Sequence, residues 1–201
     1  MTFVSAHRPS VASVAEGRWP VLGTDVWWRF GRVGGEPRRV AYAWVEHLVR
    51  SREGLPWRGL HRESAAVKPR LVGSEGVDFS ISHSGDAVLV AVARGVRVGA
   101  DVEAAPFAAF DSKALRRRML TPAEAEELPR LRPEDARTHL ARLWTAKEAV
   151  AKATGEGLAS DFRTLAVSAP PTWRGRPVEA CLAVIDDHAH PTTRHLALET
   201  S

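Results

Sequence analysis

VDFSISHSGDAVLVAVARGVRVGADVE, residues 77–103, carries three strand signals in succession. Residues 77–84 alternate apolar and polar side chains, the two-residue period of a strand with one face buried. The run AVLVAVA at 87–93 is strand-sized and far short of the about 20 apolar residues that a membrane-spanning helix requires. Arg94-Gly95 supplies a turn, and VRVGADVE at 96–103 resumes the β pattern. The centre of the chain is therefore expected to be sheet.

Toward the C-terminus the pattern becomes helical. Asp111 or Ser112 can cap a short basic helix, SKALRRRML at 112–120, and Thr121-Pro122-Ala123-Glu124 reads as a capping box with proline at the first helical position. The strongest helix signal runs from Glu134 to about Thr154 and is closed by Gly155. Short β-like runs follow at 162–169, 178–186 and 194–199, and His188-x-His190 reads as a surface loop rather than a metal site. Toward the N-terminus, DVWWRF at 25–30 is strand-like and is broken by 31–35. Pro37 then opens a helix to about Glu53, with Val40, Ala43/Trp44 and His47/Leu48 at helical spacing. A Gly- and Pro-punctuated loop carries Trp57, Lys68 and Pro69.

LGTDV at 22–26 and VGADV at 98–102 share a G-x-D-V core, each followed by helix and then strand, which hints at two halves of similar build. The expected organisation is α+β: a loose leader at 1–20, an N-terminal half at 21–97 and a C-terminal half at 98–201. The leader has no apolar segment behind a basic start, so it does not read as a signal peptide.

The 201 residues are 44% hydrophobic and 26% charged, which fits a globular protein and excludes a disordered tail or a collagen-like rod. The one cysteine, Cys181, excludes a disulfide framework and a Cys-based zinc site, and suits a reducing, cytoplasmic setting. The net charge of +4 divides into +5 for residues 1–97 and −1 for 98–201. That surplus suits an anionic small molecule or an acidic protein at least as well as nucleic acid. The seven tryptophans are scattered without interleaved basic residues, so no nucleic-acid partner is expected. Only four of the 28 basic residues are lysine (Lys68, Lys113, Lys147, Lys152), which either reflects codon bias or keeps lysine where a compact charge matters.

Asp101-Val102-Glu103 places two carboxylates on one face of a strand. Such a pair is either an acidic strand end facing water or a seat for a hard divalent ion such as Mg²⁺. On the long helix, Ala136, Leu140, Leu143, Trp144 and Ala151 form an apolar stripe with Glu148 on its flank, Lys152 one turn on and Lys147 inside it. Glu148 and Lys152 can be a surface i, i+4 pair, and Lys147 can snorkel. Together with Asp101 and Glu103 they could instead receive a metal-bound pyrophosphate. Ser82-His83-Ser84 lacks the surroundings of a nucleophile elbow, so His83 reads better as a phosphate-binding or orienting group than as part of a triad.

These pieces resemble the Sfp-type 4′-phosphopantetheinyl transferases. The matching motifs, in order, are Lys68-Pro69, FSISHSG at 79–85, VGADVE at 98–103 and WTAKEAVAKATGEGL at 144–158. The resemblance implies a pseudo-dimer of two similar α/β halves with coenzyme A bound in the cleft between them. It implies Mg²⁺-dependent transfer of the 4′-phosphopantetheine group of coenzyme A to a serine of an acyl or peptidyl carrier protein, as in fatty-acid, polyketide or nonribosomal peptide biosynthesis, releasing adenosine 3′,5′-bisphosphate. Carried over by position, Asp101, Glu103 and Glu148 would hold Mg²⁺, and Glu148 would also take the serine proton, directly or through water. Lys152 would bind phosphate and serve the leaving group. Ser82, His83 and Lys147 would hold the coenzyme's phosphates, and Lys68-Pro69 would meet its nucleotide end.

Two secondary roles follow from the same resemblance. Glu124 could be an auxiliary base, or simply the capping-box residue. Arg116, Arg117, Met119 and Leu120 could dock an acidic carrier protein, or be a solvated helix face. The chain departs from the family in having Val67 where glycine usually precedes Lys-Pro, and in a compressed first half, where Arg39 is the expected substitute for missing basic residues. The alternatives are a degenerate homologue that binds coenzyme A or a carrier protein without transfer, and a Mg²⁺-dependent phosphohydrolase. The pseudo-dimer is expected to act as a monomer, with no membrane partner.

Overall fold

The computed structural model describes residues 11–64, 67–156, 160–167, 178–185, 191–196 and 198, excepting the side chains of 11–13 and 134. In chain order the elements are β1 (Val11–Val21), β2 (Thr24–Val33), α1 (Pro37–Ser51), β3 (Leu60–His61), β4 (Arg70–Leu71), β5 (Val77–Ser84), β6 (Ala87–Arg94) and β7 (Arg97–Ala104). There follow α2 (Lys113–Met119), α3 (Pro122–Glu127), α4 (Pro133–Thr154), β8 (Val178–Ile185) and β9 (Thr192–His195). The protein is α+β, with an antiparallel sheet ordered β1-β2-β6-β5, a second ordered β7-β8-β9, and a small β3-β4 pair.

β6 explains the central apolar run, because both of its faces are buried. Val88, Val90 and Val92 pack with Val40, Trp44, Val45 and Leu48 of α1. Ala87, Leu89, Ala91 and Ala93 face the other way, against Val98, Ala100 and Val102 of β7 and Ala180, Leu182 and Val184 of β8. A strand sandwiched in this way has no polar face to alternate with. Beyond the second sheet lies α4, whose Ala146, Ala149, Val150 and Ala153 meet Cys181, Ala183 and Ile185 of β8. The layers thus run α1, first sheet, second sheet, α4.

The helix signals are met at their caps. Ser112 accepts from the Leu115 amide, Thr121 and Glu124 form the reciprocal capping box, and Gly155 ends α4 in the left-handed conformation at φ 81°. The strand expectations need correction in four places. Residues 11–20, expected as loose leader, belong to β1, where Trp19 enters the core and Glu16 binds Arg52 at 2.5 Å. β2 continues through Gly31 to Val33 because β6 pairs with it as far as Arg32 and β1 as far as Val33. Residues 160–167 form no strand, and β9 begins at Thr192 rather than 194. Residues 1–10, 157–158, 168–169 and 186, and His188-x-His190, lie outside the described residues.

Each half sets one long helix against a sheet, though the strand orders differ: of the first-half strands after α1, β2 pairs with the last, β6, whereas β7 pairs with the first strand after α4. Among the described residues, no helix is long and apolar enough to cross a membrane.

Candidate active site

Asp101 and Glu103 leave β7 on the face that meets α4, directly opposite Cys181 and Glu179 of β8. Gly99 makes this meeting unusually close. A Cβ placed there would stand 1.7 Å from the carbonyl oxygen of Ala149, so strand and helix touch backbone to backbone. Glu148, beside that contact, and Lys152, one turn on, are thereby brought to the acidic strand. The Lys152 Nζ donates to Asp101 Oδ1 at 2.6 Å and to the Ala100 carbonyl at 3.2 Å. From β5, Ser82 Oγ donates to the same Asp101 Oδ1 at 2.8 Å, and Ser84 Oγ donates to Glu103 Oε2 at 2.8 Å.

The three carboxylates burden one another. Burial, then the charge of Asp101, and less strongly that of Glu103, push the Glu148 carboxyl from its ordinary 4.5 up to about 7, against the pull of Lys152 and Arg118. Burial also raises Glu103, as does Asp101, while the Ser84 hydrogen bond works the other way. Asp101 Oδ2 and Glu148 Oε1 are buried without a hydrogen-bond partner. Buried carboxylate oxygens left bare are costly. They are also hard oxygen donors of the kind that Mg²⁺ prefers, and a cation would relieve both the missing partners and the like-charge repulsion. The donor set therefore fits a hard divalent ion. It is not a finished cage: among the described residues no three His, Cys, Asp or Glu side chains stand grouped closely enough to ligate one ion as placed.

Beside the carboxylates opens a cavity of about 350 Å³, lined from the first half by Arg38, Tyr42, Lys68, Pro69 and His83 and from the second by Lys152. His83 is exposed and lines it from β5. The Lys68 Nζ is held by Asp78 Oδ2 at 2.6 Å and the Val98 carbonyl at 2.7 Å; burial lowers its pKa even so.

Five expected roles are not supported by the placement of the side chains. Arg39 is 78% exposed and faces Glu36, whereas Arg38 lines the cavity and its Nε donates to Tyr42 Oη at 3.2 Å. Helical phase alone separates the two arginines. Ser82 is buried and serves Asp101, while Ser80 and Ile81 reach the cavity wall. Lys147 is wholly buried and donates to the Met119 carbonyl at 2.7 Å, the Phe162 carbonyl at 2.9 Å and Glu124 Oε2 at 2.6 Å. It ties α4 to α3 and cannot reach a phosphate from there; Glu124 Oε2 is occupied by that pair and the cap, while its Oε1 is buried without a partner. Met119 is fully buried too, leaving Arg116, Arg117 and Leu120, with Lys113, Pro122 and Leu128, around a separate groove of about 680 Å³. Tyr42, Gly99 and Ser84 were not anticipated; the i, i+4 spacing of Arg38 and Tyr42 and the G-x-D-x-E spacing were the available signals.

A basic cavity beside buried, partly bare carboxylates and a lysine is an arrangement of the class that could receive a polyanion next to an acidic site. The chain's relatives narrow that class. Residues 97–197 match the family model of the 4′-phosphopantetheinyl transferase superfamily, and the chain belongs to that superfamily. It is 32% identical over 113 residues to a putative 4′-phosphopantetheinyl transferase, slr0495, of Synechocystis sp., covering 55% of this chain and 46% of that one. It is 38% identical over 84 residues to the 4′-phosphopantetheinyl transferase HetI of Nostoc sp., covering 42% and 35%. With a holo-[acyl-carrier-protein] synthase of Laribacter hongkongensis it shares 35% identity over 96 residues, 45% of this chain and 75% of that one. The matches therefore span less than half the length of the first two relatives.

Proposed function

We propose that this chain transfers the 4′-phosphopantetheine group of coenzyme A to a serine of an acyl or peptidyl carrier protein. The observation that carries the reading is the pair of buried, partnerless carboxylate oxygens on Asp101 and Glu148, adjoining a cavity lined by Arg38, Lys68, His83 and Lys152. Asp101, Glu103 and Glu148 would hold Mg²⁺, which when bound supplies positive charge against the pyrophosphate. Arg38, Lys68, Pro69 and His83 hold coenzyme A in the cleft between the halves of a pseudo-dimer.

The remaining chemistry is positioning and proton handling. The serine hydroxyl attacks the β-phosphorus; its O–P bond forms as the P–O bond to adenosine 3′,5′-bisphosphate breaks. Glu148 receives the serine proton, directly or through a water. Two of the three Lys152 N–H donors are engaged by Asp101 and Ala100, and the third serves the phosphate oxygens and the departing group. The carrier protein, acidic on its docking face, lies on the groove of Arg116, Arg117 and Leu120. The single buried Cys181 suits a reducing cytoplasm, where the pseudo-dimer acts as a monomer.

Intact-mass spectrometry of an apo carrier protein incubated with this protein, coenzyme A and Mg²⁺ tests the reading. A gain of one phosphopantetheine that EDTA prevents is expected. Measurable coenzyme A binding with no gain on any acyl or peptidyl carrier would favour a binder without transfer.

A further inference from the structure

β5 and β7 are joined by side chains. Asp78 Oδ2 accepts from the Val98 amide at 2.8 Å, Ser80 Oγ from the Ala100 amide at 2.9 Å and Ser84 Oγ from the Ala104 amide at 3.2 Å. The partners are 20 residues apart in every case, so the rungs climb both strands in step at every second residue. Small oxygen-bearing side chains on one face of β5 thus satisfy amides of β7 that the core would otherwise leave unpaired. Ser82 occupies the remaining position in this series, and there the chemistry changes, because its hydroxyl donates to Asp101 Oδ1. Ser84 does both, accepting from Ala104 and donating to Glu103 Oε2.

We propose that Ser82 and Ser84 are positioning residues that aim Asp101 and Glu103 at the divalent cation, while Ser80 only joins the strands and Asp78 joins them and holds Lys68. This rests on the cation reading above. Ser82 and Lys152 together engage Asp101 Oδ1 and leave Oδ2 as the bare oxygen. Ser84 engages Oε2 of Glu103, whose carboxylate is also hydrogen-bonded by the Trp144 side chain. A carboxylate gripped by one oxygen presents the other in a fixed direction, as hydrogen-bonded outer partners do for metal ligands generally.

The test is Mn²⁺ binding to the full chain by isothermal titration, with Mg²⁺ competition and a thermal melt of each variant. Ser80→Ala is the matched control, since it too removes a rung but touches no carboxylate. Ser82→Ala and Ser84→Ala should each weaken Mn²⁺ binding by about ten-fold or more, while Ser80→Ala changes it by less than about two-fold at a comparable loss of melting temperature. Ser84→Thr, which keeps the hydroxyl, should restore affinity; Ser84→Cys serves as the second variant should Ser84→Ala not fold. Wild-type affinity in Ser82→Ala and Ser84→Ala, or an equal loss in Ser80→Ala, overturns the proposal while leaving the cation reading standing. Failure of the wild-type chain to bind Mn²⁺ or Mg²⁺ overturns both.

Discussion

Replacing Glu148 with glutamine should stabilise the metal-free protein above neutral pH and leave it nearly unchanged in acid. The native carboxyl keeps its proton up to about pH 7, whereas in the unfolded chain it lets go near 4.5. The unfolded state therefore binds fewer protons across that window, and wild-type stability falls as pH rises from about 4.5 to about 7, then levels off. A shift of this size corresponds to at most about 3 kcal/mol. For a domain of this length that is roughly 6–12 °C in melting temperature. Glutamine keeps the shape and never ionises, so its advantage over wild type should be small at pH 4.5 and fully developed at pH 8. Circular-dichroism melts in EDTA at both pH values measure this directly. At pH 8, Mg²⁺ should raise the melting temperature of wild type by more than that of Glu148→Gln. An advantage of the same size at both pH values would refute the claim that burial and the neighbouring carboxylates oppose ionisation of Glu148.

Gly99→Ala should cost about 3 kcal/mol or more in urea unfolding, because its Cβ would meet the Ala149 carbonyl at 1.7 Å and force α4 off β7; a loss under about 1 kcal/mol would contradict the close approach. Lys147→Met should destabilise by about 3–5 kcal/mol through the stranded Glu124 carboxylate, yet leave coenzyme A affinity of the folded protein unchanged; a large loss of affinity would return Lys147 to the binding site. Arg38→Ala should raise the Kd for coenzyme A by roughly ten-fold, the scale of one charge-assisted hydrogen bond, while Arg39→Ala leaves it unchanged. The reverse order in a calorimetric titration would restore the sequence-based choice.

Local chemistry was legible in the sequence; placement across the molecule was not. Thr121 and Glu124 announce their cap because both partners lie within one turn, and Gly155 announces the end of α4 for the same reason. The family motifs brought Asp101, Glu103, Glu148 and Lys152 forward, and three of these four are coupled in space through Asp101. Lys147 misled because a lysine beside Glu148 looks functional, while the carbonyls of Met119 and Phe162 that hold it come from elements packed over α4. The same packing buries α4 on more than the expected stripe, since a sheet covers one side and the α2–α3 segment another. β1 was missed because what orders it is its pairing with β2 rather than a pattern of its own. The serine rungs of β5 were invisible for a related reason. Alternation puts Ser80, Ser82 and Ser84 on one face, but nothing local says that β7 lies opposite.

The most direct measurement is the rate of phosphopantetheine transfer to an apo carrier protein, followed by intact mass in saturating Mg²⁺ and coenzyme A, for wild type and Glu148→Ala. With the variant's fold verified by circular dichroism, transfer should fall at least about 100-fold, the scale of losing a charged group from a phosphoryl-transfer site. Transfer by Glu148→Ala within a few-fold of wild type would contradict the assignment of the acidic site as the centre of the reaction.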